Sequence, residues 1–116
     1  MRLHCIDTPE IKQKPWGIRS RDYLRSLIWI GKVVGLKQIG IDRYRRVIGE
    51  VYRGNLNLNV ALVRAGQAAV YNKYCRTPKY KTAERRAKRA KLGIWSQHGL
   101  HQNPWEWRKQ NRRGRK

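Results

Sequence analysis

Residues 2–10 read RLHCIDTPE, and the rest of the chain is best interpreted outward from this stretch. Positions 2, 4 and 6 fall on one face and positions 3 and 5 on the other, which is the alternation of a β-strand. Pro9 breaks the strand because it has no backbone N–H to donate to a neighbouring strand. We therefore predict a short strand that ends in a turn carrying two carboxylates, Asp7 and Glu10.

The composition around this stretch is strongly basic for a chain of 116 residues. Lysine and arginine total 28 against 7 aspartate and glutamate, and the resulting net charge of +21 indicates a polyanionic partner. Five Trp, six Tyr and a hydrophobic fraction of 40% supply a small core, so the chain is not a wholly disordered basic tail. Because no run of about 18 apolar residues is present, we expect no transmembrane helix and no membrane partner.

The few carboxylates are more informative than the many cations, because a carboxylate repels the phosphates that so basic a protein attracts. A pair at a strand end, Asp7 and Glu10, suggests a hard cation such as Ca²⁺ or Mg²⁺ between them and the ligand. A carboxylate there could also orient or deprotonate a water. The plainer interpretation is that Asp7 caps the turn at Thr8 and Pro9, and that Glu10 is solvated.

The remaining sequence alternates between strand and helix patterns. Apolar spacing and stop residues predict helices over about 20–30, 59–65 and 78–93, with Asn59 and Thr77 as caps of the last two. Runs rich in β-branched residues predict strands over about 33–41, 46–52 and 68–71. These strands are too few to close a barrel by themselves, so an open sheet edge is expected.

We predict one domain over residues 1–96 and an extended basic tail over 97–116 that contains PWEWR at 104–108. Arg and Lys dominate the end of the chain, and we expect 108–116 to be disordered. The two cysteines, Cys5 and Cys75, make no metal-ligand pattern, and they could pair or stay free.

Five segments in order resemble the staphylococcal nuclease (thermonuclease) family. They are RLHCIDTPE at 2–10, DRYRRVI at 42–48, LNLN and LVRAG within 56–66, the helix ending LGIW at 84–95, and PWEWR at 104–108. The resemblance spans roughly residues 2–108. It implies an α+β fold, an OB-fold barrel with about three helices, and Ca²⁺-dependent hydrolysis of phosphodiester bonds in DNA and RNA without sequence preference. We expect such a protein to be a monomer.

The resemblance also implies roles for individual residues. Asp7 lies at the position of a calcium-ligand aspartate, and Thr8 at the position that lends a backbone carbonyl to the metal. Glu10 lies at the catalytic glutamate, which acts as general base or orients the water. Arg2 and Arg46 lie at the two arginines that bind the phosphate and stabilise the transition state. A guanidinium suits that task because it stays charged and binds two phosphate oxygens at once.

Four further residues resemble the family's nucleotide contacts. Arg43 and Tyr44 resemble the basic residue and the tyrosine of the same loop. Tyr71 or Tyr74 resembles the aromatic contacts near the base, although either tyrosine could equally pack at the edge of a strand.

Three departures from the family pattern are visible. Family members carry strands before the stretch at 2–10, including a D-G-D-T-like segment with another calcium-ligand aspartate. We therefore expect a barrel incomplete at its N-terminus, explained by an earlier start site, a decayed gene or a strand supplied by a partner. Arg45 stands where the family has glycine, and a positive φ there would strain the arginine. Cys5 also stands where glycine is common, which is a milder change.

The preferred function is a calcium-dependent endonuclease, because Arg2, Asp7, Glu10 and Arg46 are all present. The alternative is a catalytically impaired OB-fold nucleic-acid-binding protein or a truncated gene product, favoured by the missing carboxylate, by Arg45 and by the net charge of +21. Members of the family are often secreted or periplasmic. The first five residues are too short and too polar to form a signal peptide, so the sequence leaves the location open.

Overall fold

The computed structural model describes residues 2–28, 35–71, 73 and 75–113, without the side chains of Arg2, Arg112 and Arg113. The helices are α1 (Trp16–Leu27), α2 (Leu58–Arg64), α3 (Pro78–Arg89) and α4 (Pro104–Arg113). The strands are β1 (Arg2–Leu3), β2 (Ile6–Asp7), β3 (Gly35–Ile41), β4 (Val47–Arg53), β5 (Leu56–Asn57) and β6 (Ala69–Val70). Two 3₁₀ turns, Gly93–Ser96 and Leu100–Gln102, precede α4. Over these residues, no helix has the length and apolarity that a bilayer crossing requires.

β4 is the centre of the main sheet. It pairs in parallel with β1 and antiparallel with β3 and β5, while β2 and β6 form a separate antiparallel pair. The fold class is therefore α+β, as predicted. The described ranges contain four α-helices rather than about three, and their strands do not close into a barrel.

The structure has two short strands, β1 and β2, where the sequence predicted a single strand over residues 2–6. The break between them determines where Asp7 lies. Cys5 has a φ of 68°, in the left-handed region that ends a strand. Before the break Arg2 pairs with Ile48 in the main sheet, and after it Asp7 pairs with Ala69 in the second sheet. The turn at Cys5 thus moves the chain from one sheet to the other and delivers Asp7 to the edge between them.

The core lies between α2, α3 and the second sheet, and a disulfide crosses it. Leu62, Val63 and Tyr80 are almost fully buried there. Cys5 and Cys75, whose state the sequence left open, form a disulfide across a separation of 70 residues. The bridge holds the turn between β1 and β2 against the segment that leads into α3.

The predicted cap of α2 is wrong by two residues. The side chain of Asn57 accepts a hydrogen bond from the backbone N–H of Val60 at 3.1 Å and caps the helix. Asn59 is instead fully buried. Its Oδ1 accepts from the N–H of Val51 at 3.2 Å, and its Nδ2 donates to the carbonyl of Gly49 at 3.1 Å. A carboxamide both donates and accepts hydrogen bonds. Asn59 therefore connects α2 to β4 through two hydrogen bonds instead of capping α2.

The other helices keep their predicted places with shifted ends. α1 begins at Trp16 instead of about residue 20, and the predicted end at residue 30 lies outside the described residues. Thr77 is the N-cap of α3, as predicted, and Pro78 follows it. α3 ends at Arg89 rather than near Gly93, because the chain turns at Lys91, whose φ is 53°.

The disorder predicted from residue 108 is wrong as far as Arg113, because α4 continues to that residue. Pro104 starts the helix with a fixed φ and is fully buried, and Glu106 lies in the first turn, where a carboxylate stabilises the helix dipole. Trp105 packs against Tyr71 with ring centres 4.8 Å apart. The basic composition predicted disorder, but tertiary contacts stabilise helix α4 here. Residues 114–116 lie outside the described part of the chain.

Candidate active site

The turn after β2 brings Asp7, Thr8 and Glu10 to a single surface cleft. The cleft has a volume of about 480 Å³ and is lined by Leu3, Ile6, Asp7, Thr8, Glu10, Arg46 and Arg108. The turn is fixed from within, because Gln13 Oε1 accepts from the Glu10 N–H at 2.9 Å and the Glu10 carbonyl accepts from the Gln13 N–H at 2.8 Å. α1 packs directly against it at Gly17, where a Cβ would overlap the Glu10 carbonyl. The same turn, held by these contacts, therefore positions Asp7, Thr8 and Glu10.

Arg108 of α4 lies between the two carboxylates. Its Nη1 and Nη2 donate to Asp7 Oδ2 and Oδ1 at 2.6 and 2.8 Å, and its Nε donates to Glu10 Oε1. Nη2 also donates to the carbonyl of Thr8 at 3.4 Å. Burial lowers the pKa of Arg108, but the hydrogen bonds to Asp7 and Glu10 outweigh it and raise the pKa above its ordinary value. The groups predicted to hold a metal thus surround one positive charge.

Arg46 lines the same cleft from the hairpin between β3 and β4. Its Nε donates to Asp42 Oδ2 at 2.8 Å, and its backbone N–H donates to Asp42 Oδ1 at 2.9 Å. The backbone hydrogen bond from Arg46, together with one from Tyr44, lowers the pKa of Asp42. Asp42 is therefore ionised at neutral pH and anchors Arg46. About half of the Arg46 side chain is exposed, at 51%, so its guanidinium remains accessible from the cleft.

Among the described side chains, not every predicted site residue lines the cleft. Arg2 belongs to β1, and its side chain lies outside the described part of the structure. Arg43 and Tyr44 are exposed in the turn of the hairpin, where the Arg43 guanidinium lies 5.0 Å from the centre of the Tyr44 ring. These two residues form a basic and aromatic surface next to Arg46.

A second cleft, of about 590 Å³, meets the first at Glu10 and Arg108. Its lining is Glu10, Ile11, Lys12, Trp105, Trp107, Arg108 and Asn111. Tyr71 is half-buried against Trp105 rather than free in the cleft, and Tyr74 lies outside the described residues. Trp105, Trp107 and Arg108 are not among the residues predicted for the site, although the PWEWR segment that contains them is part of the family resemblance.

Comparison with known proteins decides the family. The family described as "Staphylococcal nuclease homologue" matches residues 1–97. The chain belongs to this family. The predicted membership is therefore confirmed, and the stretch at 2–10, the hairpin at 42–48 and α3 lie within the matched part of this staphylococcal nuclease homologue.

Curated relatives extend the similarity to α4. A protein of Oryza sativa subsp. japonica named "Probable staphylococcal-like nuclease CAN3" is 35% identical over 115 residues, which are 99% of this chain and 30% of the relative. An "Uncharacterized endonuclease" of Escherichia coli is 39% identical over 109 residues, 93% of this chain and 69% of the relative. One of Haemophilus influenzae is 34% identical over 112 residues, 97% of this chain and 61% of the relative. The chain thus spans about 30% of the length of the rice protein.

The donor atoms at the cleft of this staphylococcal nuclease homologue suit a hard cation. The carboxylates of Asp7 and Glu10 and the carbonyl of Thr8 present only oxygen, and all of them already contact one cationic group. Wherever side chains are described, no group of three or more His, Cys, Asp or Glu residues is placed to hold an ion. The residues that would hold Ca²⁺ in this cleft are Asp7, through its carboxylate, and Thr8, through its carbonyl, with the Glu10 carboxylate in the same cleft.

Proposed function

We propose that this chain is a Ca²⁺-dependent nuclease that hydrolyses phosphodiester bonds of DNA and RNA. The observation that carries the proposal is the convergence of Asp7, Thr8, Glu10 and Arg46 on one cleft, in a chain whose relatives are named nuclease and endonuclease. We also infer that the two small sheets belong to an OB-fold barrel, which family membership supports.

Substrate attraction comes from charge that is spread over the surface. The net charge is +21, and α3 exposes a basic face. The exposed cations of this face are Lys79, Lys81, Arg85, Arg86, Lys88 and Arg89. Such a surface binds the phosphate backbone whatever the sequence, with an affinity that falls as salt rises. We therefore propose nucleic acid of either kind, bound without sequence preference.

The residues of the cleft divide the chemistry between them. Glu10 accepts a proton from the attacking water, whose oxygen then forms the new bond to phosphorus as the bond to the leaving oxygen breaks. Arg46 donates to the phosphate oxygens on which negative charge develops, and Arg2 is proposed to do the same from β1. Asp7 and the Thr8 carbonyl would hold Ca²⁺, which when bound neutralises the phosphate and polarises it as a Lewis acid.

The first prediction concerns Glu10 and Arg46. Glu10→Gln should lower the rate of cleavage by about 10²–10⁴-fold through loss of the general base. Arg46→Ala should lower it by about 10²–10³-fold through loss of charge stabilisation. Both variants should bind DNA nearly as well as the parent. The measurements are cleavage of plasmid and single-stranded DNA in Ca²⁺ or chelator, and gel shifts in chelator.

Two matched controls separate these effects from loss of charge alone. Glu106→Gln removes an exposed carboxylate from α4, and Arg21→Ala removes an exposed guanidinium that forms an ion pair with the neighbouring Asp22. Both should cleave at the parental rate. A Glu10→Gln protein that cleaves as fast as Glu106→Gln would show that Glu10 is not the base.

A second candidate function is nucleic-acid binding without hydrolysis. The observation in its favour is Arg108, which already neutralises Asp7 and Glu10. This candidate requires salt-sensitive gel shifts with no cleavage at any Ca²⁺ concentration, so the same assays distinguish it from the nuclease.

A further inference from the structure

All three nitrogens of the Arg108 guanidinium donate to residues that the proposed function uses. Nη1 donates to Asp7, and Nη2 to Asp7 and the Thr8 carbonyl, which are the proposed Ca²⁺ ligands. Nε donates to Glu10, the proposed general base. Both oxygens of Asp7 are engaged, in the bidentate arrangement that gives Arg–carboxylate pairs their strength. The contact joins positions 101 residues apart, so it is a tertiary feature and not a product of local chain geometry.

Arg108 and a metal ion cannot use these oxygens together. Ca²⁺ lies about 2.3–2.6 Å from its oxygen ligands. The Arg108 nitrogens lie 2.6 and 2.8 Å from the same two Asp7 oxygens. A second cation at that distance would overlap the guanidinium and be repelled by its charge. Arg108 and Ca²⁺ therefore cannot be bound to the Asp7 oxygens at the same time.

α4 is held in a way that lets Arg108 leave while the helix stays. Its start is anchored by the fully buried Pro104 and by Trp105 on Tyr71. Its later residues Lys109 and Asn111 are exposed, and the Arg108 side chain itself is 38% exposed. Because Arg108 lines both clefts, its departure would also join them along Glu10.

We propose that Arg108 is an internal cation that occupies the metal position of the proposed nuclease site, and that Ca²⁺ binds there only by displacing it. α4 is then an autoinhibitory segment: it neutralises Asp7 and Glu10 while Ca²⁺ is scarce and opens the path between the two clefts when Ca²⁺ takes its place. The inference rests on the proposed function, because it uses the same metal ligands, but it assigns to Arg108 a role opposed to metal binding.

The test is calorimetric titration of the whole chain with CaCl₂, without nucleic acid. Arg108→Ala should bind Ca²⁺ about tenfold or more tightly than the parent, since a charged bidentate contact no longer competes. Lys109→Ala removes one positive charge from the neighbouring position and should stay within about twofold of the parent. Asp7→Asn combined with Arg108→Ala should lose the gain, which places the tighter site at Asp7.

A second variant and a second readout keep the test decisive if Arg108→Ala folds poorly. Arg108→Lys keeps the charge and loses the two-pronged contact, so its Ca²⁺ affinity should lie between those of the parent and of Arg108→Ala. In chelator Arg108→Ala should melt below the parent, because Asp7 and Glu10 then repel each other, and saturating Ca²⁺ should close that gap.

The outcomes separate the two proposals. If Arg108→Ala binds Ca²⁺ no more tightly than the parent does, the proposal that Ca²⁺ must displace Arg108 is wrong. The proposed metal site itself would not be contradicted by that result. Absence of Ca²⁺ binding in both proteins would overturn the metal site and the displacement together.

Discussion

Arg45 shows at a single residue how the hairpin at the cleft is held. Its φ is 62°, in a region where a side chain is strained, and its backbone N–H donates to the Asp42 carbonyl at 3.0 Å. The Asp42 carboxylate fixes the other side of the turn through the N–H groups of Tyr44 and Arg46. The surrounding hydrogen bonds therefore impose the conformation and keep Arg46 at the cleft. Arg45 thus has the positive φ on which the sequence-based expectation of strain depended.

Arg45→Gly should stabilise the protein by about 1 kcal/mol, because glycine adopts a positive φ without steric strain. Urea unfolding measures the change. Arg43→Gly is the matched control: Arg43 lies in the same turn without a positive φ, so glycine there should lower the free energy of unfolding. Equal effects of the two substitutions would contradict strain at Arg45.

The residues of the site were predictable to different degrees for a physical reason. Asp7 and Glu10 stand out because carboxylates are rare in this chain and follow a strand directly. Their contact with Arg108 has no local signal, since it depends on how α4 returns across about 100 residues to the turn after β2. A side-chain pair that tertiary packing alone creates leaves no periodicity in the sequence.

At the scale of elements, a buried carboxylate joins β4 to α3. Glu50 is only 3% exposed and accepts hydrogen bonds from the Tyr80 hydroxyl, from Asn57 Nδ2 at 3.1 Å and from the Tyr52 hydroxyl at 3.2 Å. Lys79 Nζ lies 3.3 Å from it. Burial raises the pKa of Glu50, but the hydrogen bonds from Tyr80 and Lys79 outweigh it and hold the pKa below its ordinary value.

Glu50→Gln should lower the free energy of unfolding by about 1–3 kcal/mol at neutral pH, because it leaves buried donors poorly paired. The folded-state pKa is lower than the unfolded one, so the stability from Glu50 is present above the unfolded-state pKa and is lost as pH falls through the folded-state pKa. Urea unfolding between neutral and acidic pH should show a weaker loss in Glu50→Gln than in the parent.

The matched control is Asp22→Asn, which removes an exposed carboxylate from the middle of α1 and should keep both the parental stability and the parental acid profile. A Glu50→Gln protein that matches it in both respects would show that Glu50 does not join the two elements.

The elements themselves were predictable where periodicity is local. α3 follows from its apolar spacing, and its start at Thr77 and Pro78 is as predicted. The break at Cys5 and the course of α4 did not follow, because the first depends on a backbone angle and the second on Trp105 packing against Tyr71. Strong basic composition is typical of disordered tails, but it does not prevent a helix that has a hydrophobic anchor.

For the whole molecule, the disulfide between Cys5 and Cys75 ties the site to the core. Cys5 is two residues before Asp7, and Cys75 leads into α3. Closing a loop of this size contributes roughly 4 kcal/mol in the chain-entropy description. Reductant should therefore lower the urea midpoint of the parent markedly and leave that of a Cys5→Ala, Cys75→Ala variant unchanged. A parental midpoint insensitive to reductant would contradict a structural role for the bridge.

Hydrolysis at the cleft of Asp7, Glu10 and Arg46 is tested most directly by one measurement. It is the rate at which the purified chain cleaves an end-labelled single-stranded DNA, compared between excess Ca²⁺ and chelator for the parent and for Glu10→Gln. We expect cleavage by the parent in Ca²⁺ alone and a loss of about 10²–10⁴-fold in Glu10→Gln. Cleavage that persists in chelator, or that Glu10→Gln leaves at the parental rate, would contradict the assignment of this cleft as the catalytic site.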